Sequence, residues 1–383
     1  MEYIALKDVC GINMGQSPES TSYNENGDGI PFFQGNADFG ARYPVTRVWC
    51  NAPTKIANAG DILISVRAPI GALNYAKEEC CIGRGLAAIT PNLNKVSSEF
   101  IYWFLKGKNA ELNSKGTGST FKAIGRKILE ETLVPDYGFE QQHACAENLE
   151  KVYAIIQMRK QELLKLDELI KARFVEMFGD PISNPKGWPM PIIEEVVSPE
   201  KNALKAGPFG SALKKEYYVE SGYKIYGQEQ VINGDPNYGD YYINEERYKQ
   251  LENCAVQAGD VLISLVGTYG KLLIMPDCFE PGIINPRLMK ITFDKDKVNP
   301  HYFQHYFQSD SLKRSLADNT HGGTMDILNL GIVRKLKMPL PPIELQNEFV
   351  AFVSQVDKSK DAVKRALDEA QLLFDSLMQQ YFG

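Results

Sequence analysis

Four histidines, seven cysteines and two glycine-rich turns are the places where this 383-residue chain offers ligands, nucleophiles or phosphate cradles. His301 and His305 stand four apart, which puts both imidazoles on one face of a helix. A zinc site at that spacing needs a glutamate between them and a third ligand, and neither is present. They read as surface histidines; His143 and His321 have no metal-binding neighbours. The cysteine count is odd, no C-x-x-C pair occurs, and Cys80 and Cys81 are adjacent. This excludes a disulfide framework or a zinc ribbon and fits a reducing cytoplasm. Gly83-Arg84-Gly85 and Gly267-Thr268-Tyr269-Gly270 lack the Walker lysine and a complete G-x-G-x-x-G, so they read as turns between strands. There is no G-x-S-x-G elbow, and no Asn/Asp-Pro-Pro-Tyr/Phe motif of the adenine methyltransferases. The residues point to a binder and not a catalyst, with no metal and no cofactor of its own.

The elements that must position any binding residues come in two copies. Gly60-Asp61-Ile62-Leu63-Ile64-Ser65 recurs as Gly259-Asp260-Val261-Leu262-Ile263-Ser264, an offset of 199. Leu86-Ala87-Ala88-Ile89-Thr90-Pro91 aligns with Leu288-Met289-Lys290-Ile291-Thr292-Phe293 at 202. Val134 to Gln142 aligns with Met338 to Gln346, and Phe178-Gly179 with Phe382-Gly383, both at 204. A slowly growing offset is what small loop insertions produce, and a repeat of this size defines the architecture. Within each copy, β-branched and aromatic runs lie between Gly, Pro, Asn and Asp clusters, the pattern of short strands and turns. Ile30-Pro31-Phe32-Phe33, Asp61 to Val66, and Tyr238 to Ile243 are examples. Short helices are expected at Ser97–Lys106, with an apolar stripe at Phe100, Ile101, Phe104 and Leu105, and at Asn299–Phe307.

Each copy ends in a long helix. Residues 140–178 contain no proline or glycine, and Leu149, Val152, Ile156, Leu163, Leu166, Ile170, Phe174 and Met177 keep a three-and-four spacing. Val353, Val356, Val363, Leu367, Ala370, Phe374, Met378 and Tyr381 repeat it. Thirty-nine helical residues span roughly 58 Å. Arg159 and Lys360 interrupt the stripes, as register-setting polar residues do in coiled coils. Sequence-related halves favour a pseudo-two-fold relation, so the helices should pair antiparallel, with Lys360 near Glu162; the plainer alternative has each helix packing on its own domain alone. The expected fold is α+β: two tandem pseudo-symmetric repeats, each a β-rich domain followed by a long helix. The boundaries fall at 1–139, 140–178, a Gly/Pro/Asn linker at 179–190, 191–343 and 344–383.

Composition limits the partners. No window approaches 18 consecutive apolar residues, so no membrane span is expected, and Met1 to Cys10 lacks a signal-peptide layout. Forty-two basic against 48 acidic side chains give a net charge of −6, which is not the basic excess of a non-specific nucleic-acid binder. Residues 1–139 hold 14 of each sign, and residues 344–383 hold 4 basic and 7 acidic. DNA binding therefore requires basic residues gathered on one face, with a partner supplying more.

Two globular-plus-helix units, each entering its helix through Pro-x-x-x-x-Glu-x-Gln (Pro135 to Gln142, Pro339 to Gln346), resemble the specificity (S) subunit of type I restriction–modification systems. Gly207-Pro208-Phe209-Gly210-Ser211-Ala212-Leu213-Lys214 with Tyr218 is similar to that family, as is Gly15-Gln16-Ser17-Pro18 with Tyr23-Asn24. Gly60 to Gly71, including Ser65-Val66-Arg67-Ala68-Pro69, is similar to one version of its target recognition domain. The resemblance covers essentially the whole chain. It implies a non-catalytic DNA-recognition subunit in which each globular part reads one half of a split site on double-stranded DNA. The paired helices would serve as a ruler and as docking surface for two methyltransferase subunits. Those would bring S-adenosylmethionine and methylate adenine N6, and motor-nuclease subunits, with Mg and ATP, would add cleavage.

On that reading, base-contacting residues should be Arg, Lys, Asn, Gln, Ser or Thr on loops. In the first domain the candidates are Gln16, Ser17, Ser20, Tyr23, Gln34, Asn36, Arg42, Arg67 and Arg84. The glycine-rich stretch with Lys115, Thr117 and Lys122 would follow the DNA backbone. In the second they are Phe209, Ser211, Lys214, Lys215, Tyr218, Gln228 and Gln230, with His321 and Thr324 on the counterpart loop. Arg67 and Arg84 have the alternative of pairing with internal carboxylates, and Asn184 and Trp188 read as structural. Three other readings stay open: an enzyme with an unrecognised site, a DNA-binding adaptor of a related defence system with a different effector, and a scaffold using the helices alone.

Overall fold

The computed structural model describes residues 2–118, 122–209, 212–265, 271–318 and 328–383. They form two compact units, residues 1–161 with 363–383, and residues 162–362. Each unit therefore contains one β-rich domain and a portion of both long helices.

The repeated Gly-Asp motif is the turn that feeds the central strand of each domain. Gly60 and Gly259 adopt φ of 87° and 82°, a left-handed conformation open to glycine. Asp61 Oδ2 accepts from the Asn58 N–H at 2.8 Å, and Asp260 Oδ2 from the Gln257 N–H at 2.8 Å. The strands that follow sit in matching four-stranded antiparallel sheets. In the first unit the order is Cys10–Met14, Leu86–Pro91, Ile62–Ser65, Leu73–Tyr75. In the second it is Leu204–Ala206, Leu288–Ile291, Val261–Ser264, Leu272–Ile274. Ile62 and Ile64 face one core and Leu63 the other, because strand side chains alternate between faces and both faces are covered. A second, smaller sheet in each unit holds one parallel pair: Ile30–Phe33 with Cys80–Ile82, and Tyr223–Tyr226 with Gly282–Ile284. Of the strand expected over Tyr238 to Ile243, only Tyr242–Ile243 forms; Gly239, at φ 74°, belongs to a turn before it.

The long helices run Phe139–Phe178 and Ile343–Phe382. Their shared entry motif has a physical basis. Gln142 is 2% exposed and Gln346 is fully buried. Gln142 Oε1 accepts from the Ser97 N–H (2.8 Å), and its Nε2 donates to the carbonyls of Lys95 (3.1 Å) and Tyr137 (2.7 Å). Gln346 makes the same three bonds, each 2.9 Å, with Asn299, Lys297 and Pro341. Each glutamine thus ties its long helix to the start of a short one, Ser98–Gly107 or Pro300–Phe307.

Within each unit the long-helix segments are antiparallel. In the first unit Tyr153 meets Phe374 (ring centroids 6.1 Å) and the Tyr137 hydroxyl donates to the Tyr381 carbonyl at 3.1 Å. In the second, Phe174 meets Phe349 at 5.4 Å and Arg173 pairs with Glu348 at 3.2 Å. Neither helix packs on its own domain alone. Phe382 lies against Phe100 and Phe104 of the first unit (5.6 and 5.8 Å), and Phe178 against Tyr302 of the second at 4.9 Å. Burying one such ring contributes about 1.5–3 kcal/mol. The expected Lys360–Glu162 pair is corrected: Lys360 Nζ lies 2.5 Å from Asp167 and 3.3 Å from Asp357. The apolar stripe fixes which faces meet, and leaves open which carboxylate along the facing helix the long lysine side chain reaches.

Gly179, at φ 80°, ends the first helix with its N–H bonded to the Val175 carbonyl at 2.8 Å, a left-handed stop. Trp188 Nε1 then donates to the Phe178 carbonyl at 3.0 Å, and Asn184 brackets Trp188 through both of its side-chain amide atoms.

Candidate nucleic-acid interface

In the first unit three backbone segments meet at one end of the two sheets. A Cβ on Gly15 would fall 2.2 Å from the Gly83 carbonyl, and one on Gly85 would fall 2.3 Å from the Gln34 carbonyl. Only glycine permits this approach. The Gln16 N–H donates to Ile82 O (3.0 Å) and the Gly83 N–H to Phe33 O (2.8 Å). The Arg84 N–H reaches Ser17 Oγ at 3.3 Å. Residues 66–68 and the glycine-rich stretch join the same rim. The Val66 N–H donates to Gly85 O, the Ala68 N–H to Lys122 O, and Thr117 and Ala123 exchange two bonds of 2.9–3.0 Å.

Exposed Gln16, Gln34, Arg67, Arg84, Thr117 and Lys122 therefore share one surface with half-buried Ser17. Arg67 and Arg84 are exposed and have no carboxylate partner among the described residues, so the internal ion pairs open to them do not form there. Three cations thus gather on one face of a domain with no net charge, which is the distribution that DNA binding demands. Asn36 opens a short turn beside Gln34, capped by Asp38 Oδ2 on the Gln34 N–H at 2.8 Å.

Other candidates in this unit have different work. Arg42 is corrected: its NH1 lies 2.9 and 2.8 Å from the two carboxylate oxygens of Glu150 on the long helix. Its guanidinium also stacks 5.1 Å from both the Tyr75 and Tyr102 rings, so it ties domain to helix. Tyr23 donates to the Pro18 carbonyl (2.7 Å) and stacks on Phe32 at 4.6 Å, which supports the loop carrying exposed Ser20. Lys115 is exposed but paired with Glu111 at 2.6 Å.

The second unit repeats the junction with different side chains. A Cβ on Gly207 would fall 1.9 Å from the Asn285 carbonyl, and one on Gly227 2.6 Å from Asn285 Nδ2. The Asn285 N–H donates to Tyr226 O at 2.8 Å, and Asn285 Oδ1 accepts from the Arg287 N–H at 2.9 Å. Gln228 Nε2 donates to Ser264 Oγ (2.9 Å), while its Oε1 accepts from Arg287 NH1 (3.3 Å). Phe209, two residues beyond Gly207, is 87% exposed. Lys214 and Lys215 are exposed, the former 3.4 Å from Glu216, and Tyr218 is half-buried with its ring 5.6 Å from Tyr241.

Gln230 is corrected. It is 2% exposed, its Oε1 accepts from the Gly227 N–H (2.8 Å) and its Nε2 donates to Tyr238 O (2.6 Å). It holds the loop and faces no solvent. Ser211, His321 and Thr324, and the turn at 267–270, lie outside the described residues. Arg287, exposed on this rim, was not among the sequence candidates. The signal for it was the repeat, since the 202-residue offset lays 285–287 on Gly83-Arg84-Gly85, with Arg287 opposite Gly85 and one position past the counterpart of Arg84.

No group of three His, Cys, Asp or Glu side chains able to hold a metal occurs among the described residues. His305 is corrected from a surface residue to one packed edge-on against Phe349 at 5.1 Å, where burial lowers its pKa to about 4. Among the described residues no helix is long and apolar enough to cross a membrane.

Comparison with known proteins gives a consistent result. The family model for the type I restriction modification DNA specificity domain matches residues 1–168 and 209–371. A Methanocaldococcus jannaschii protein, named for the specificity subunit of the type I restriction enzyme MjaX, is 42% identical over 160 residues. That alignment spans 42% of this chain and 38% of the relative. The type I restriction enzyme EcoBI specificity subunit of Escherichia coli is 19% identical over 406 residues, covering 98% of this chain and 83% of the relative. Two solved structures share the fold. The S subunit of a type I restriction–modification system from M. genitalium superposes with a TM-score of 0.57 at 16% identity, over 100% of this chain and 96% of that one. A chain from a study of complex assembly and conformational transition in the type I R-M system reaches 0.63 at 17%, over 100% and 97%. With both repeats matched, the chain belongs to the family of type I restriction–modification DNA specificity domains.

Proposed function

We propose that this chain is the DNA sequence-recognition subunit of a type I restriction–modification complex. Each β-rich domain reads one half of a split site on double-stranded DNA, and the long helices set the spacing and receive two methyltransferase subunits. Those partners carry S-adenosylmethionine and the adenine-N6 chemistry, motor-nuclease subunits carry ATP and Mg, and this chain performs no bond-breaking step. The observation that carries the reading is the repeated rim. In each unit, glycine-tight loops converge at the same end of the two sheets and present polar and cationic side chains outward. Base readout needs such fixed donors and acceptors on a surface a duplex can reach. Net acidity is compatible with this division of labour, because partner subunits can supply phosphate contacts.

The test is a methylome. Native DNA is sequenced for N6-methyladenine from cells holding the neighbouring methyltransferase with and without this chain. The expected result is a split motif, two short specific halves around a fixed gap, present only with the chain. Unchanged methylation in the presence of an active methyltransferase would overturn it and favour an adaptor of a different defence effector.

A further inference from the structure

Both units connect a small-sheet strand to the second strand of the four-stranded sheet by a three-residue turn. In the first unit residues 83–85 join Cys80–Ile82 to Leu86–Pro91; in the second, residues 285–287 join Gly282–Ile284 to Leu288–Ile291. The turns are held alike. The third residue of each accepts from the strand-exit backbone, Val66 N–H to Gly85 O and Leu265 N–H to Arg287 O, both 2.9 Å. Each turn carries one exposed arginine, Arg84 or Arg287. Its backbone N–H is fixed by a neighbouring side chain, Ser17 Oγ or Asn285 Oδ1.

The arginines of this acidic chain that serve structure are paired: Arg42 with Glu150, Arg126 with Glu130, Arg173 with Glu348. Arg84 and Arg287 are not. Among the described residues the Arg84 guanidinium has no hydrogen-bond or ion-pair partner, and the Arg287 guanidinium bonds only the neutral Gln228 amide, at 3.3 Å. A guanidinium on a rigid turn, without a carboxylate, keeps its two-pronged donor edge for an external acceptor pair. Two acceptors side by side at hydrogen-bond range are what the O6 and N7 of guanine present in the major groove.

We infer that Arg84 and Arg287 are the guanine readers of the two turns, one for each half of the split site, carried at the second position of the first turn and the third position of the second. The inference rests on the proposed DNA-recognition function and assigns residues within it. A lysine would keep the charge and lose the fork.

The experiment uses the full chain in complex with its methyltransferase, with methylomes of wild type, R84A, R84K, R287A and R287K. Arg84→Ala should relax one G·C pair in one half-motif, lowering discrimination there about tenfold to a hundredfold, with the other half unchanged. Arg287→Ala should do the same in the other half. The lysine variants should relax the same positions while holding overall affinity closer to wild type. Both side chains are exposed, so unfolding midpoints should match wild type. A fixed motif with uniformly weaker binding and a shallower salt dependence would assign these arginines to phosphates and overturn the inference. So would relaxation of the same half by both substitutions, or a half-motif with no G·C pair. A wild-type complex that shows no split motif overturns instead the function on which the inference stands.

Discussion

Gln346→Leu should be among the most destabilising single substitutions in the second unit, although it replaces a polar core residue with an apolar one of similar size. Gln346 is fully buried and satisfies one N–H and two carbonyls from three separate positions, all at 2.9 Å. Leucine leaves all three without a partner. Each orphaned buried group costs about 1–3 kcal/mol, and partial solvent access to the Asn299 and Lys297 backbone sets the working value near the lower bound. The sum is about 3–5 kcal/mol, against a total of about 5–15 kcal/mol for an ordinary domain. For a unit of this size, about 2–4 °C of midpoint is lost per kcal/mol, so the second unit should melt on the order of 10 °C earlier. The assay is thermal unfolding of the full chain by circular dichroism and calorimetry, with Gln142→Leu and the exposed neighbour Gln141→Leu beside it. Gln142→Leu should lower the first unit's transition by a similar amount, since its three bonds are 2.7–3.1 Å. Gln141→Leu should stay within about 0.5 kcal/mol. A Gln346→Leu protein within 1 kcal/mol of wild type would refute the reasoning, because it would mean water or local rearrangement satisfies those groups at no cost.

Phe209→Ser should leave the unfolding midpoint within error, the ring being 87% exposed, yet weaken DNA binding by the complex about tenfold, the scale of one lost apolar contact to a thymine methyl in the major groove; unchanged affinity would remove Phe209 from the interface. Arg42→Ala should destabilise the first unit by about 1 kcal/mol, the pair with Glu150 being partly exposed, and leave the methylation motif intact; a changed motif would return Arg42 to the readers. Burial holds the folded His305 pKa at about 4 against an ordinary 6.5. Between those values the unfolded chain binds a proton that the folded chain does not, so this contribution is present above pH 6.5 and lost as pH falls toward 4. Wild-type stability should therefore decline over that window more steeply than that of His305→Phe in parallel denaturant titrations; coincident pH profiles would contradict the placement.

The repeats, the two long helices and the turn with Arg84 were legible because each is written locally, in apolar spacing, in recurring motifs or in glycines that mark a turn. The entry motif was legible as a pattern but not as a mechanism, since Gln142 acts on Lys95 and Ser97, more than forty residues back. Arg42 could not be told from a reader by its type: Glu150, 108 positions away, decides its role. Gln230 faces inward because the 3.6-residue period of its short helix turns it under Gly227, a direction that a six-residue helix is too short to reveal by pattern. Lys360 pairs with Asp167 and not Glu162 because apolar spacing fixes which helix faces meet but not which carboxylate along the facing helix a long lysine side chain reaches.

The composition of the first unit has a consequence during synthesis. Its core needs Phe374 and Phe382, which follow residue 161 by more than 200 positions. At about 5–20 residues per second, the ribosome takes on the order of 10–40 s to deliver them. Throughout that interval the part of Phe100, Trp103 and Phe104 that Phe374 and Phe382 cover stays open, so the earlier of the two domains is the later finished and the one with more need of a chaperone. A stop codon after Ala362 would leave the second unit intact and unroof the first, so a truncation within the second long helix harms the domain farther from it in sequence.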